Sequence, residues 1–315
     1  MSLIAMVVIA LLAALLYIPF LKNGFVFDDH GLFANGSVYD YVERPFDFSP
    51  RSFPYFTLGI IAVISNGIEL NRIFSLILHI MCGGMLYVLL RALLLQAKES
   101  VRNEQKNGNE SKATLAALIG ACWFVIHPVA VYGAGYLAQR TILFATLFSL
   151  LSLWFYRRAF SENRTADIFT AALFYSLAVF SKEHAIMLPF TSIALISLYE
   201  GGFRSRLKRA ALYLALCAPA AIFVFFAKKQ IVATGYEPDI ATIISQISDI
   251  GLLSTPIGKW IVSAVLQTKF FFEYLFLWII PDIRQLSIDM RFDFSHIWFS
   301  WGVFPNAIFF CLSPV

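Results

Sequence analysis

The sequence predicts an all-α polytopic membrane protein, and three observations carry that prediction. Of 315 residues, 59% are hydrophobic and only 14% are charged, too little charge to cover the surface of a soluble domain. The mean hydropathy is +0.73. Apolar runs of about 18 residues or more recur along the chain, each long enough to cross a bilayer as a helix. The formal charge of +4 is small; it points to no nucleic-acid partner and follows from Lys and Arg in the loops between runs.

The first run, "LIAMVVIALLAALLYIPF" at 3–20, lacks a basic leader and a small-residue cleavage site, so it reads as a retained helix rather than a signal peptide. A long first loop, 20–71, follows. It contains "RPFDFSPRSFPYF", dense in Pro and aromatics, and then "TLGIIAVISNG", apolar but too short to span. That segment is expected as an amphipathic helix lying along the interface. Further runs lie near 72–97, 114–132, 140–157, 166–181, 184–199 and 209–228, with another inside 260–281 and an apolar stretch at 297–313. Residues 229–296 read as an external and interfacial region, and 1–315 as a single transmembrane domain. Cys82, Cys122, Cys217 and Cys311 fall in or beside apolar runs, with neither metal-ligand spacing nor a disulfide framework.

The loops set an orientation. Lys98, Arg102, Lys106 and Lys112, then Arg157, Arg158 and Arg164, then Arg204, Arg206, Lys208 and Arg209 make three short basic loops. The positive-inside rule places these in the cytoplasm. By parity the 20–71 loop, the 127–139 loop and the 181–184 turn face the other side. Asp28 and Asp29 of "GFVFDDHGLFANG" therefore lie on the external face.

Three more polar groups reach that level. His127 and Arg140 sit at the corners of 126–141; Lys182, Glu183 and His184 form a tight turn; Gln267, Lys269, Glu273 and Tyr274 interrupt an apolar helix. Structural readings exist for each. Arg140 and Lys182 suit snorkelling anchors, Glu183 suits a counter-charge for Lys182, His127 before Pro128 suits a helix cap, and Asp28–Asp29 suit an N-cap near His30. Convergence of an acidic pair and several cations on one face favours function. A carboxylate base beside cations that hold a phosphate is what transfer from a phosphate-linked donor requires.

"FVFDDHGLF" resembles the first-loop acidic signature of the GT-C superfamily, integral membrane glycosyltransferases that use lipid-linked sugars. The chain is more specifically similar to the transmembrane, TPR-containing O-mannosyltransferases and their bacterial relatives. His127, Pro128 and Arg140 match their HP…R motif, and Ser181, Lys182, Glu183, Leu188 and Pro189 match their SKE turn followed by Leu-Pro. Gln267, Tyr274, Leu275 and Pro281, then "LSID" at 286–289, match a further motif, and His79 matches a histidine of the second helix. The pattern departs from the family at Val131 and Tyr132, where a glutamate is expected, at Ser75, where Asn is expected, and at "RSFPYF" from Arg51. No TPR pattern at a 34-residue period follows, so a short or C-terminally truncated form, or an acceptor-binding part elsewhere, is expected.

The resemblance implies a GT-C-like helical bundle with a structured first external loop and interfacial helices. It implies transfer of a sugar from a polyprenyl- or dolichyl-phosphate donor to a hydroxyl of a protein or glycan, with inversion. Asp28 or Asp29 is the general base. Arg140, Lys182 and His127 hold the donor phosphate, and Glu183, His184, Gln267, Tyr274 and His79 support the site. No cofactor is required, although an acidic pair can bind a divalent cation. The membrane is a bacterial inner membrane with the site facing the periplasm, or an ER membrane with the site facing the lumen. The alternatives are a ligase or polymerase of lipid-linked glycans and a lipid-linked-sugar transporter or flippase. The latter is expected to show broken helices in two matching halves, a symmetry absent from the sequence.

Overall fold

A computed structural model describes residues 2–45, 47–65, 67–99, 106–199, 202–232 and 256–282. Every regular element among them is helical. The chain forms two compact units, 1–230 and 231–315, where the sequence reading treats 1–315 as one.

The first unit is built on long apolar helices: α1 (Ser2–Tyr17), α5 (Ile68–Glu99), α6 (Lys106–Ile126), α8 (Arg140–Ser161) and α11 (Phe203–Val232). Four segments are long and apolar enough to cross a membrane: Leu3–Phe20, Ile68–Gln96, Leu137–Ser161 and Phe203–Ala227. A fifth, Glu110–Ile126 with Pro128–Ala134, qualifies when its 53° bend is counted as one span. The protein is thus a multi-pass membrane protein. The runs at 166–181 and 184–199 are shorter than a span here: α9 (Ala166–Ser181) has 16 residues, and the return 183–198 is broken into short helical pieces around α10 (Leu188–Ala194).

Lipid supplies no hydrophobic drive between helices, so these pack through small residues. On α1 a stripe of Ala5, Ile9 and Ala13 is buried while Leu3, Val7, Leu11 and Leu15 face outward. On α6 the stripe is Ala113, Ala117, Ala121 and Val125, with Leu115, Ile119 and Trp123 outside. Gly83 of α5 sits where these meet: a Cβ there would lie 2.5 Å from the Val125 side chain and 3.0 Å from Ile9. A second core joins α8, α9 and α11 through Tyr156, Ala171, Tyr175, Ala178, Tyr213 and Cys217.

The first loop is structured. It carries α2 (Asp28–Ala34), α3 (Ser37–Glu43) and α4 (Ser52–Ile64). At 13 residues, about 20 Å long, α4 is apolar yet cannot span. Gly59 lets it lie on α3, because a Cβ there would meet the Val38 carbonyl oxygen at 2.5 Å. Within this unit one end gathers the first loop, residues 127–140 and the 181–184 turn. The other end carries the basic residues at 157–164 and 204–209.

The second unit's described part is α12 (Pro256–Ile279), exposing Phe271, Tyr274, Phe276 and Trp278. The remaining expectations for 233–255 and 283–315, including Cys311, "LSID" and the 297–313 stretch, lie outside the described residues.

Candidate functional site

The two adjacent carboxylates have opposite surroundings. Asp29 is completely buried. Its Oδ1 accepts from the Ala138 amide at 2.8 Å, and its Oδ2 from the Leu137 and Val26 amides, both at 3.4 Å. It therefore pins α2 to the N-terminus of the 3-10 turn Leu137–Gln139, whose amides lack internal partners. Burial raises its pKa, partly opposed by those three amides and by the Arg72 charge. The Arg72 guanidinium completes the joint by donating to the Gly24 carbonyl at 2.6 Å and to the Gly135 carbonyl. Asp28 is exposed.

The residue before the pair explains how the two part. Phe27 has φ +48° and ψ −118°, a region that costs a side-chain-bearing residue about 1–3 kcal/mol and recurs at functional sites. Its turn starts α2 with Asp29 turned inward. The Asp28 amide donates to the Tyr136 hydroxyl at 3.0 Å. Burial, and then its bond with Asp28, raise the Tyr136 pKa, so the phenol keeps its proton.

The cations arrive from two other segments. Arg51, at the start of α4 with φ +72°, donates its amide to the Phe180 carbonyl at 2.6 Å. Its guanidinium is bidentate on Glu183, with Nε to Oε2 at 3.1 Å and Nη2 to Oε1. Both side chains keep part of their surface open. Lys182 donates to Gln139 at 3.1 Å, one residue beyond the amide that binds Asp29. Tyr55 bonds Arg51 and is close enough to Asp28 for that charge to help raise its pKa, burial being the larger cause. His184, on the same turn, is held below the usual imidazole range by burial and then by Lys182, with Glu183 opposing.

The structure thus brings Asp28, Asp29, Lys182, Glu183 and His184 to one end. It places the five other candidates differently. Arg140, given to a donor phosphate in the sequence reading, is completely buried. Its Nε donates to Ser75 at 3.1 Å, Nη1 to Thr57 at 3.3 Å, and Nη2 to the carbonyl and side chain of Asn71 at 2.6 and 2.8 Å. Its face lies over Phe74 at 4.8 Å. An enclosed guanidinium so engaged ties α4, α5 and α8 and offers no surface to a phosphate. His127 is 3% exposed; its Nδ1 accepts from the Val129 amide at 3.2 Å, the cap that one sequence reading allows. His79 contacts the Val125 carbonyl at 3.0 Å between the rings of Tyr17 and Phe124, about two turns of α5 from Asn71. Gln267 and Tyr274 are exposed on α12 of the second unit.

Sequence reasoning missed Arg51, Tyr55, Tyr136 and Gln139 as parts of this cluster. Only Arg51 carried a signal, as the cation following the Pro-rich stretch of the first loop. Among the described residues no group of three or more His, Cys, Asp or Glu side chains forms a metal-ligand cluster. Comparison with protein-family models, curated proteins and solved structures finds no match to this chain.

Proposed function

We propose that the protein is a membrane glycosyltransferase that moves a sugar from a polyprenyl-phosphate donor to an acceptor hydroxyl. The observation that carries this reading is the meeting of an exposed carboxylate, Asp28, with the Arg51, Lys182 and His184 groups at one end of a membrane-spanning bundle. Asp28 takes the proton of the acceptor hydroxyl as its oxygen attacks the anomeric carbon. The bond from that carbon to the phosphate oxygen breaks, and the polyprenyl phosphate leaves with the bonding electrons. Configuration inverts because attack and departure lie on opposite faces. Lys182, with Arg51 behind it, neutralises the phosphate as charge develops there. Asp29 holds the loop and does not meet substrate. The leaving phosphate is already charged, so this step demands no metal. A divalent cation bridging both carboxylates would compete with the amides on Asp29. By the positive-inside rule the basic loops are cytoplasmic and this site external.

The test uses purified protein in nanodiscs. Mass spectrometry of co-purifying lipid is expected to show a polyprenyl-phosphate sugar, and that lipid serves as donor. Lys182→Gln is expected to raise the apparent donor KM by about tenfold, the scale of one lost charge-assisted contact, without changing thermal stability. An unchanged KM, or a protein that carries no such lipid and transfers no sugar from it, overturns the reading.

A further inference from the structure

At the opposite end of the first unit lies a cavity of about 510 Å³ walled by Arg91, Gln96, Trp154, Arg157 and Tyr199, among others. From Asn71 to Arg91 along α5 is about 30 Å at 1.5 Å per residue, so this cavity is separate from the Asp28 cluster. It opens where two membrane-length segments end, at Gln96 and Ser161, which is the depth of lipid headgroups.

Three polar atoms of its wall residues are enclosed and have no hydrogen-bond partner among the described residues: Arg157 Nε, Gln96 Oε1 and Tyr199 Oη. Tyr199 as a whole is only 4% exposed. Buried polar groups are normally paired, and here three unpaired ones belong to the wall residues of one cavity. The surrounding groups are fixed. The Arg157 guanidinium lies over the Trp154 ring at 4.8 Å. Arg91 is oriented by Thr114 at 3.1 Å and by an ion pair with Glu110. Arg206 holds the Tyr199 carbonyl. No carboxylate is among the wall residues. Arginines near helix C-termini complement the helix dipole, which accounts for their charge but not for the polar atoms left unpaired beside them.

We propose that this cavity binds a phosphate-bearing anion that also carries a hydroxyl or ammonium group. Arg157 and the Tyr199 hydroxyl donate to the phosphate oxygens, with Arg91 adding charge. The Gln96 oxygen accepts from the ligand's hydroxyl or ammonium. Trp154 supplies an apolar wall. Both a phospholipid headgroup and a soluble phosphate ester have this chemistry, and the site stands whether or not the Asp28 end transfers sugar.

Thermal unfolding of the full chain in detergent tests it with four probes: dioctanoyl phosphatidylglycerol, glycerol 3-phosphate, inorganic phosphate, and uncharged dioctanoylglycerol. The first, the second or both are expected to raise Tm saturably, and dioctanoylglycerol is expected to have no effect. Tyr199→Phe, which keeps the ring, is expected to weaken the effective probe about tenfold, the scale of a hydrogen bond to a charged group. Arg157→Gln is expected to weaken it further. A response to the phospholipid alone identifies a headgroup site. An equal response to glycerol 3-phosphate identifies a soluble ligand, and inorganic phosphate reports the anion contact by itself. No saturable shift from either ester, or shifts unchanged in Tyr199→Phe, means that the cavity holds water only and the proposal is wrong. Should Arg157→Gln fail to fold, Tyr199→Phe decides alone.

Discussion

Asp28→Asn and Asp29→Asn are expected to give opposite phenotypes although the residues are neighbours. Asn at position 29 can keep one oxygen on the Ala138 amide, where the bond is 2.8 Å. Its NH2 group then faces the Leu137 and Val26 amides, which now donate to Oδ2 at 3.4 Å. Two donors, the enclosed Leu137 amide and the part-buried Val26 amide, are left against a third. The lost bonds are long, so their share is small, but stranded amides cost about 1–3 kcal/mol each. Relief of a buried charge offsets part of this. A net loss of about 2–4 kcal/mol results, on the order of 10 °C in Tm for a unit of this size. Asp28 is exposed and its loss should barely move Tm, while transfer falls about 10²-fold or more, the scale for removing a general base.

The acidity of Asp29 adds a pH signature. Burial raises its folded-state pKa, so the native protein holds that proton more tightly than the unfolded chain. The stability from this linkage is fully present below the unfolded carboxyl pKa of about 4 and is lost as pH rises through the folded value. Asn does not titrate, so the cost of Asp29→Asn should be larger at pH 4 than at pH 7. Tm by intrinsic fluorescence across pH, beside sugar transfer at a temperature where all variants are folded, measures both. Wild-type Tm in Asp29→Asn, or full transfer by Asp28→Asn, refutes the division of roles.

Other outcomes follow from the same geometry. Arg140→Lys keeps the charge but cannot span Ser75, Thr57 and Asn71, so it should lower stability by about 2 kcal/mol or more and leave donor KM unchanged; a KM effect at wild-type Tm contradicts its structural role. Gly59→Ala should destabilise the first loop, because the new methyl meets the Val38 carbonyl oxygen at 2.5 Å; faster proteolysis near 44–51 with α5 still protected is the measure. In a cysteine-free background, Asn35→Cys should react with an impermeant maleimide on intact cells and Ser111→Cys should not; the reverse inverts the topology.

Composition alone made the helical membrane class legible, because lipid leaves few other ways to satisfy a backbone. The alternation of basic loops also foretold which segments share an end: the structure joins Asp29 to 137–138, Arg51 to 180 and 183, and Lys182 to Gln139. What each side chain does there was not legible. Nothing in "DD" says which carboxylate faces inward, because that depends on the Phe27 backbone. Likewise a lone Arg at a helix start reads equally as anchor, ligand or strut until Asn71, Ser75 and Thr57 are seen around it. The α9 and 183–198 segments read as full-length spans by hydropathy, yet α9 joins the two ends with only 16 residues and the return is divided into 3-10 turns and α10.

The acidic pair is best understood as one device rather than two residues. A helix of seven residues such as α2 cannot hold itself together in water. Its position is therefore set from outside, by Asp29 on the 137–138 amides and by Arg72 on the Gly24 carbonyl. The 137–138 amides belong to the turn that also supplies Gln139 to Lys182 and runs into Arg140. Displacing that turn would move Asp28 and Lys182 together. A buried carboxylate beside an exposed one thus ties Asp28 to the membrane-spanning scaffold while leaving it open at the surface. Asp29→Asn should accordingly lose transfer above its lowered melting range as well as stability, whereas Asp28→Asn separates the two.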